Sequence, residues 1–152
     1  MDGRHLAPWS ALAMAALLAT AGIDERPAAA PGAPSAVAVA APKTVDVQMI
    51  GDATGYRFAP TTITIQRGDK VRFTLVSGPP HNVVFWSDSI PKGAAAVLTK
   101  GMPQTVDKLT GPFFLKTGDT YVVSFAGAPA GRYRYNCTPH LALGMTATIV
   151  VK

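Results

Sequence analysis

An alternation of apolar and polar residues runs through most of the chain from position 45 onward, and it restricts the fold more than any other feature. Val45, Val47 and Met49 share one face of a first segment, and Ile63 and Ile65 share a face of the next. Gly68-Asp69 makes a turn, after which Val71, Phe73 and Leu75 point away from Lys70, Arg72 and Thr74. His81, Val83 and Phe85 continue the pattern, and Gly118-Asp119 opens a segment with Tyr121, Val123 and Phe125 on one side. Tyr133, Tyr135 and Cys137 then alternate with Arg132, Arg134 and Asn136; Met145, Ala147, Ile149 and Val151 alternate with Thr146, Thr148 and Val150. A period of two belongs to strands with one face buried and the other in water. About seven short strands at this spacing, parted by Gly, Pro and Asp turns, predict an all-β antiparallel sandwich. The stretch from Ser87 to Thr117 breaks the alternation. Gly93 to Leu98 suits a short helix, whereas Gly101, Pro103, Gly111 and Pro112 predict a loop-rich crossover whose role is not legible.

The alternation begins late, and the earlier residues read differently. Residues 1–23 read as a signal peptide or N-terminal anchor. Arg4 and His5 form a polar start, Leu6 to Ile23 an apolar run broken by Pro8 and Ser10, and Ala19-Thr20-Ala21 a small-residue cleavage pattern. No cysteine lies nearby, which excludes a lipid-modified N-terminal cysteine. Residues 24–42, rich in Ala and Pro, follow neither strand nor helix period and read as a disordered linker. Residues 43–152 then form the folded domain. Export to the periplasm or another extracytoplasmic space is expected, with a membrane tether if the N-terminus stays uncleaved.

Charge narrows the partners. Arg4 and Arg26, and Asp2, Asp24 and Glu25, fall before Lys43, so twelve of the 14 basic and six of the nine acidic residues remain, a net of +6. These basic residues are scattered singly, which suits solubilising charge and argues against a nucleic-acid surface. A mildly basic domain would favour acidic partner surfaces through encounter rate alone. A monomer is expected.

The chemistry is concentrated near the C-terminus. Cys137-Thr138-Pro139-His140 is followed by Leu141-Ala142-Leu143-Gly144-Met145, and His81 lies upstream after Pro79-Pro80. The chain has one Cys, so no internal disulfide forms, and an unpaired Cys in an exported protein points to a partner, a reactive thiol or a metal. Of three His, His5 belongs to the leader, leaving His81 and His140. Two imidazoles, a thiolate and a weak thioether are the donor set of blue-copper electron-transfer sites. Period-two counting places His81, Cys137 and Met145 on core faces at strand ends, with His140 on the short loop 138–144. Zinc fits less well, because it rarely accepts a thioether as fourth ligand. Hydrolase or oxidase chemistry would need a further His as base or ligand, and none remains, so no catalytic residue is assigned.

Pro80-His81-Asn82-Val83, together with Tyr135-Asn136-Cys137-Thr138-Pro139-His140 through Gly144-Met145, closely resembles the plastocyanin/azurin group of small blue copper proteins, the cupredoxins. The Cys-x-Pro-His-x-x-x-Gly-Met spacing is most like plastocyanin, and the likeness covers roughly residues 43 to 152. The stretch from Ser87 to Thr117 departs from it. The resemblance implies a Greek-key antiparallel β-sandwich, one copper ion cycling between Cu(I) and Cu(II), and one-electron transfer between redox partner proteins. It implies that His81, His140 and Cys137 bind the metal, with Met145 as the weak axial ligand. Asn82 would tie the two ligand segments together through Thr138. Pro139, lacking an N–H, cannot donate to the Cys137 sulfur, which lowers the potential by that effect alone. Leu141, Ala142 and Leu143 would form an apolar docking patch around His140, although either leucine alone is equally suited to plugging the core. A periplasmic copper-delivery protein using the same ligands is the alternative, disfavoured because the chain lacks an exposed Met-rich or paired-Cys surface.

Overall fold

The computed structural model describes residues 41–152. The expected leader, and all but the last two residues of the expected linker, lie outside the described residues. Two four-stranded sheets face each other. Strands β1 (Thr44–Asp52), β2 (Gly55–Ala59), β4 (Lys70–Leu75) and β6 (Thr120–Ser124) form one sheet, ordered β2-β1-β4-β6. Strands β3 (Thr62–Ile65), β5 (Val84–Phe85), β7 (Gly131–Asn136) and β8 (Thr146–Val151) form the other, ordered β3-β8-β7-β5. A short helix α1 (Ala94–Gly101) precedes β6, and a 3-10 turn (Thr138–Leu143) joins β7 to β8.

The alternation works as the sequence predicts. Val47, Met49, Val71, Phe73, Leu75, Tyr121, Val123 and Phe125 from one sheet meet Ile63, Ile65, Phe85, Tyr133, Tyr135, Ile149 and Val151 from the other, and all are buried. Aromatic rings pack edge to face in the core: the Phe58 centroid lies 4.7 Å from that of Tyr135 in the facing sheet and 6.3 Å from that of Phe73 in its own. One expectation needs correction. The pairing is not purely antiparallel, because β1 runs parallel to β4 and β3 parallel to β8. In each case the two strands come from distant parts of the chain, so no hairpin forces them to oppose. There is also an additional strand, β2, which the alternation did not reveal because it places a single side chain, Phe58, in the core.

The crossover is ordered around α1, whose Ala94 and Leu98 are buried. Beyond it the chain returns along the edge of β5. Phe85 N–H donates to the Leu109 carbonyl (3.0 Å), Gly111 N–H to that of Val83 (2.8 Å), and His81 and Phe114 exchange both backbone bonds (3.1 and 2.8 Å). The segment that the sequence left without a role therefore covers an otherwise open sheet edge and fixes the backbone of His81.

Candidate metal centre

Cys137 directly follows β7, Met145 directly precedes β8, the 3-10 turn between them carries His140, and the segment leading into β5 carries His81. Cys137, Met145 and His81 are fully buried and His140 nearly so, at 7 % exposed. The expectation that core faces turn these side chains inward describes what is seen, and His140 is more enclosed than a loop position suggests. Nδ1 of His81 and Nδ1 of His140 each lie 3.5 Å from the Cys137 sulfur. The three donor atoms all fall within 4.8 Å of one another.

Backbone bonds brace the loop. Cys137 N–H donates to the Met145 carbonyl (3.1 Å), His140 N–H to that of Cys137 (3.2 Å), and Met145 N–H to that of His140 (3.2 Å). Gly144 closes the turn at φ 82°, a left-handed conformation that glycine adopts without the Cβ clash other residues meet. Across the site, the Asn82 side chain accepts from Thr138 N–H (2.7 Å) and donates to Thr138 Oγ1 (3.2 Å), so the two ligand segments are tied directly.

The protonation states follow from burial. His81 and His140 are both held below the usual imidazole value by desolvation, His140 also by facing His81, while the Ser77 carbonyl pulls His81 the other way. That carbonyl accepts from Nε2 of His81 at 2.9 Å, so Nε2 carries the proton and Nδ1 presents a lone pair toward the sulfur. Burial pushes the Cys137 thiol up, only partly offset by the backbone N–H groups of Asn82 and His140. A thiolate here therefore needs a cation in contact, which two neutral imidazoles cannot supply. One soft sulfur and two imidazoles, in a pocket closed to water, fit a copper ion.

Sequence reasoning missed two elements of this site. Ser77 acts through its backbone, which no side-chain motif reports. Tyr56 stacks on His140 with ring centroids 3.7 Å apart and planes 11° apart; a Tyr56/Phe58 pair at i, i+2 was the available signal for its strand. The loop leucines are resolved plainly: Leu141 is 41 % and Leu143 62 % exposed, Ala142 is exposed, and neither leucine plugs the core. Thr138 and Pro139 are also exposed.

Fold and donor set together define a mononuclear copper protein of the cupredoxin type. Residues 45–152 match the family of copper binding proteins described as plastocyanin/azurin. The chain is 35% identical over 118 residues to the chloroplastic plastocyanin of Chlamydomonas reinhardtii, covering 77% of this chain and 73% of that protein. It is 36% identical over 107 residues to the plastocyanin of Solanum crispum, covering 70% of this chain and 99% of that one. Oxidised plastocyanin from Dryopteris crassirhizoma superposes with a TM-score of 0.53 at 30% identity, covering 71% of this chain and all of that one. The chain belongs to the plastocyanin/azurin family. It is a plastocyanin-like electron carrier with a type 1 copper site, not an enzyme, and it exchanges electrons with redox partners.

Proposed function

We propose that His81, Cys137 and His140 would hold the copper through two Nδ1 atoms and one Sγ, with Met145 as a weak fourth ligand. The buried cluster of three donor atoms within 4.8 Å carries this reading. Copper supplies the one-electron chemistry when bound, passing between Cu(I) and Cu(II). The residues supply a frame that need not rebuild between those states. Cys137 and Met145 are anchored on β7 and β8, Asn82 locks the His81 segment to Thr138, and the apolar core excludes water from the sulfur. Pro139 offers the sulfur no N–H, which favours the oxidised state. This rigidity supports a carrier over a copper-delivery protein, which would need a loose, exchanging site.

Leu141, Ala142 and Leu143 form the docking patch for redox proteins, because they are exposed and directly follow His140, the one ligand that reaches the surface. The net charge of +6 in residues 43–152 favours partners with acidic surfaces. Residues 1–23 act as signal or anchor and 24–42 as linker, placing the domain outside the cytoplasm, periplasmic or tethered to a membrane. Among the described residues no helix is long and apolar enough to cross a membrane.

The optical and EPR spectra of the copper-loaded chain test the site. Cu(II) should give an intense blue thiolate-to-copper charge-transfer band, and Cys137→Ser should abolish it. A blue band that survives this substitution overturns the ligand assignment.

A further inference from the structure

The two imidazoles are held by different means. His81 is fixed at both ends of its ring, by the Ser77 carbonyl on Nε2 and the sulfur beside Nδ1. A metal-binding imidazole is usually oriented in this way, through a hydrogen bond on its distal nitrogen. The His140 side chain has no such partner among the described residues; its one side-chain hydrogen-bonding contact is with the Cys137 sulfur. What meets it instead is the face of Tyr56, nearly parallel to the imidazole. The same tyrosine touches His81 edge-on, with centroids 6.1 Å apart and planes 66° apart.

The β1–β2 hairpin is built to seat that ring. Tyr56 lies directly opposite Gly51 in the antiparallel pair. A Cβ on Gly51 would come within 2.5 Å of Tyr56 Cε1 and 2.9 Å of Gly78 Cα, and a Cβ on Gly78 within 2.6 Å of Gly51 Cα. Two bare backbones therefore approach each other, and the phenol ring lies in the space a side chain at 51 would take. Gly51 N–H donates to the Ser77 carbonyl at 3.0 Å, the carbonyl that also fixes His81. Arg57, next to Tyr56, closes the hairpin through a paired contact with Asp52 at 2.8 and 3.0 Å.

We infer that Tyr56 is a positioning residue for His140: its ring, seated against Gly51, orients an imidazole whose distal nitrogen no protein group holds among the described residues, and keeps Nδ1 turned toward Cys137. This rests on the reading of His140 as a ligand. It goes further in assigning the ring's orientation to the hairpin and not to the ligand loop. A stacked aromatic pair is worth enough to change a ligand's release rate roughly two- to ten-fold.

The test compares Tyr56→Phe with Tyr56→Leu in the full chain, by two readouts. In the metal-free protein, NMR should show the His140 ring protons shifted upfield by the Tyr56 ring current. The shift should persist in Tyr56→Phe and vanish in Tyr56→Leu, with His81 ring signals little changed. In the Cu(I)-loaded protein, release of copper to excess bathocuproine should quicken roughly two- to ten-fold in Tyr56→Leu and stay near wild type in Tyr56→Phe. Tyr56→Met, bulky but without an aromatic face, replaces the leucine variant if that one does not fold. Unchanged His140 signals and release rate in the non-aromatic variant overturn the proposal, as does a phenylalanine variant that behaves like the leucine one. A chain that fails to turn blue with Cu(II) defeats the ligand reading instead, and the metal-free NMR still decides the stacking.

Discussion

The two ends of the sandwich bury polar groups by opposite strategies. At the ligand end, two imidazoles and a thiol sit in apolar surroundings, and burial drives all three toward their neutral forms. At the far end Asp69 is only 5 % exposed, yet burial does not neutralise it. Its oxygens accept from the backbone N–H groups of Lys43 and Gln66, each at 2.8 Å, and these hold its carboxyl below the usual range. One end keeps a permanent charge satisfied by the chain itself. The other leaves its donors unpaired by charge, so that an ion from outside completes them. Structural permanence and exchangeable chemistry are thus separated by the length of the core.

Removing Asp69 should give the largest effect. Asp69→Ala should cost about 2–3 kcal/mol in urea unfolding, because two backbone donors lose a charged acceptor. The pH dependence has a definite sign. The folded carboxyl holds its proton less tightly than the unfolded one, so its stabilisation is complete above about pH 3.8 and is lost as pH falls through the lower folded value. A variant with the same acid limb as wild type would show that the carboxylate does not anchor that end. At the ligand end, Asn82→Ala should cost about 1–2 kcal/mol in the metal-free chain, since Thr138 can turn to water for its lost partner. A loss below about 0.5 kcal/mol would mean that backbone pairing alone joins the ligand segments. In the core just below the ligands, Tyr135→Phe should be neutral or stabilising by up to about 1 kcal/mol, because the Tyr135 hydroxyl is buried without a hydrogen-bond partner among the described residues. The blue spectrum should not move; a shift would show that the core, and not the end, sets the site.

How much of this the sequence disclosed depends on the range of the interaction. Core faces were legible because alternation is local: Val71, Phe73 and Leu75 declare their side whatever strand they pair with. His81, Cys137 and Met145 were legible for the same reason, each lying on a core face at a strand end. Which strands pair, and in which direction, was not, since β1 meets β4 and β3 meets β8 across long separations. The return of Leu109 to Phe114 along His81 escaped for a related reason: backbone bonding leaves no mark on residue type. Tyr56 lies 84 residues from His140 in the chain, and its stacking depends on two glycines that also come from separate segments.

The unpartnered phenols have a consequence for where charge can travel. Burial pushes Tyr121 up to about 12 and Tyr135 higher still, and neither hydroxyl has an acceptor within reach among the described residues. A phenol that cannot surrender its proton cannot readily become a radical. A hole placed on either ring would find no base among the described residues to take its proton, so these two phenols are poor stepping stones for an electron.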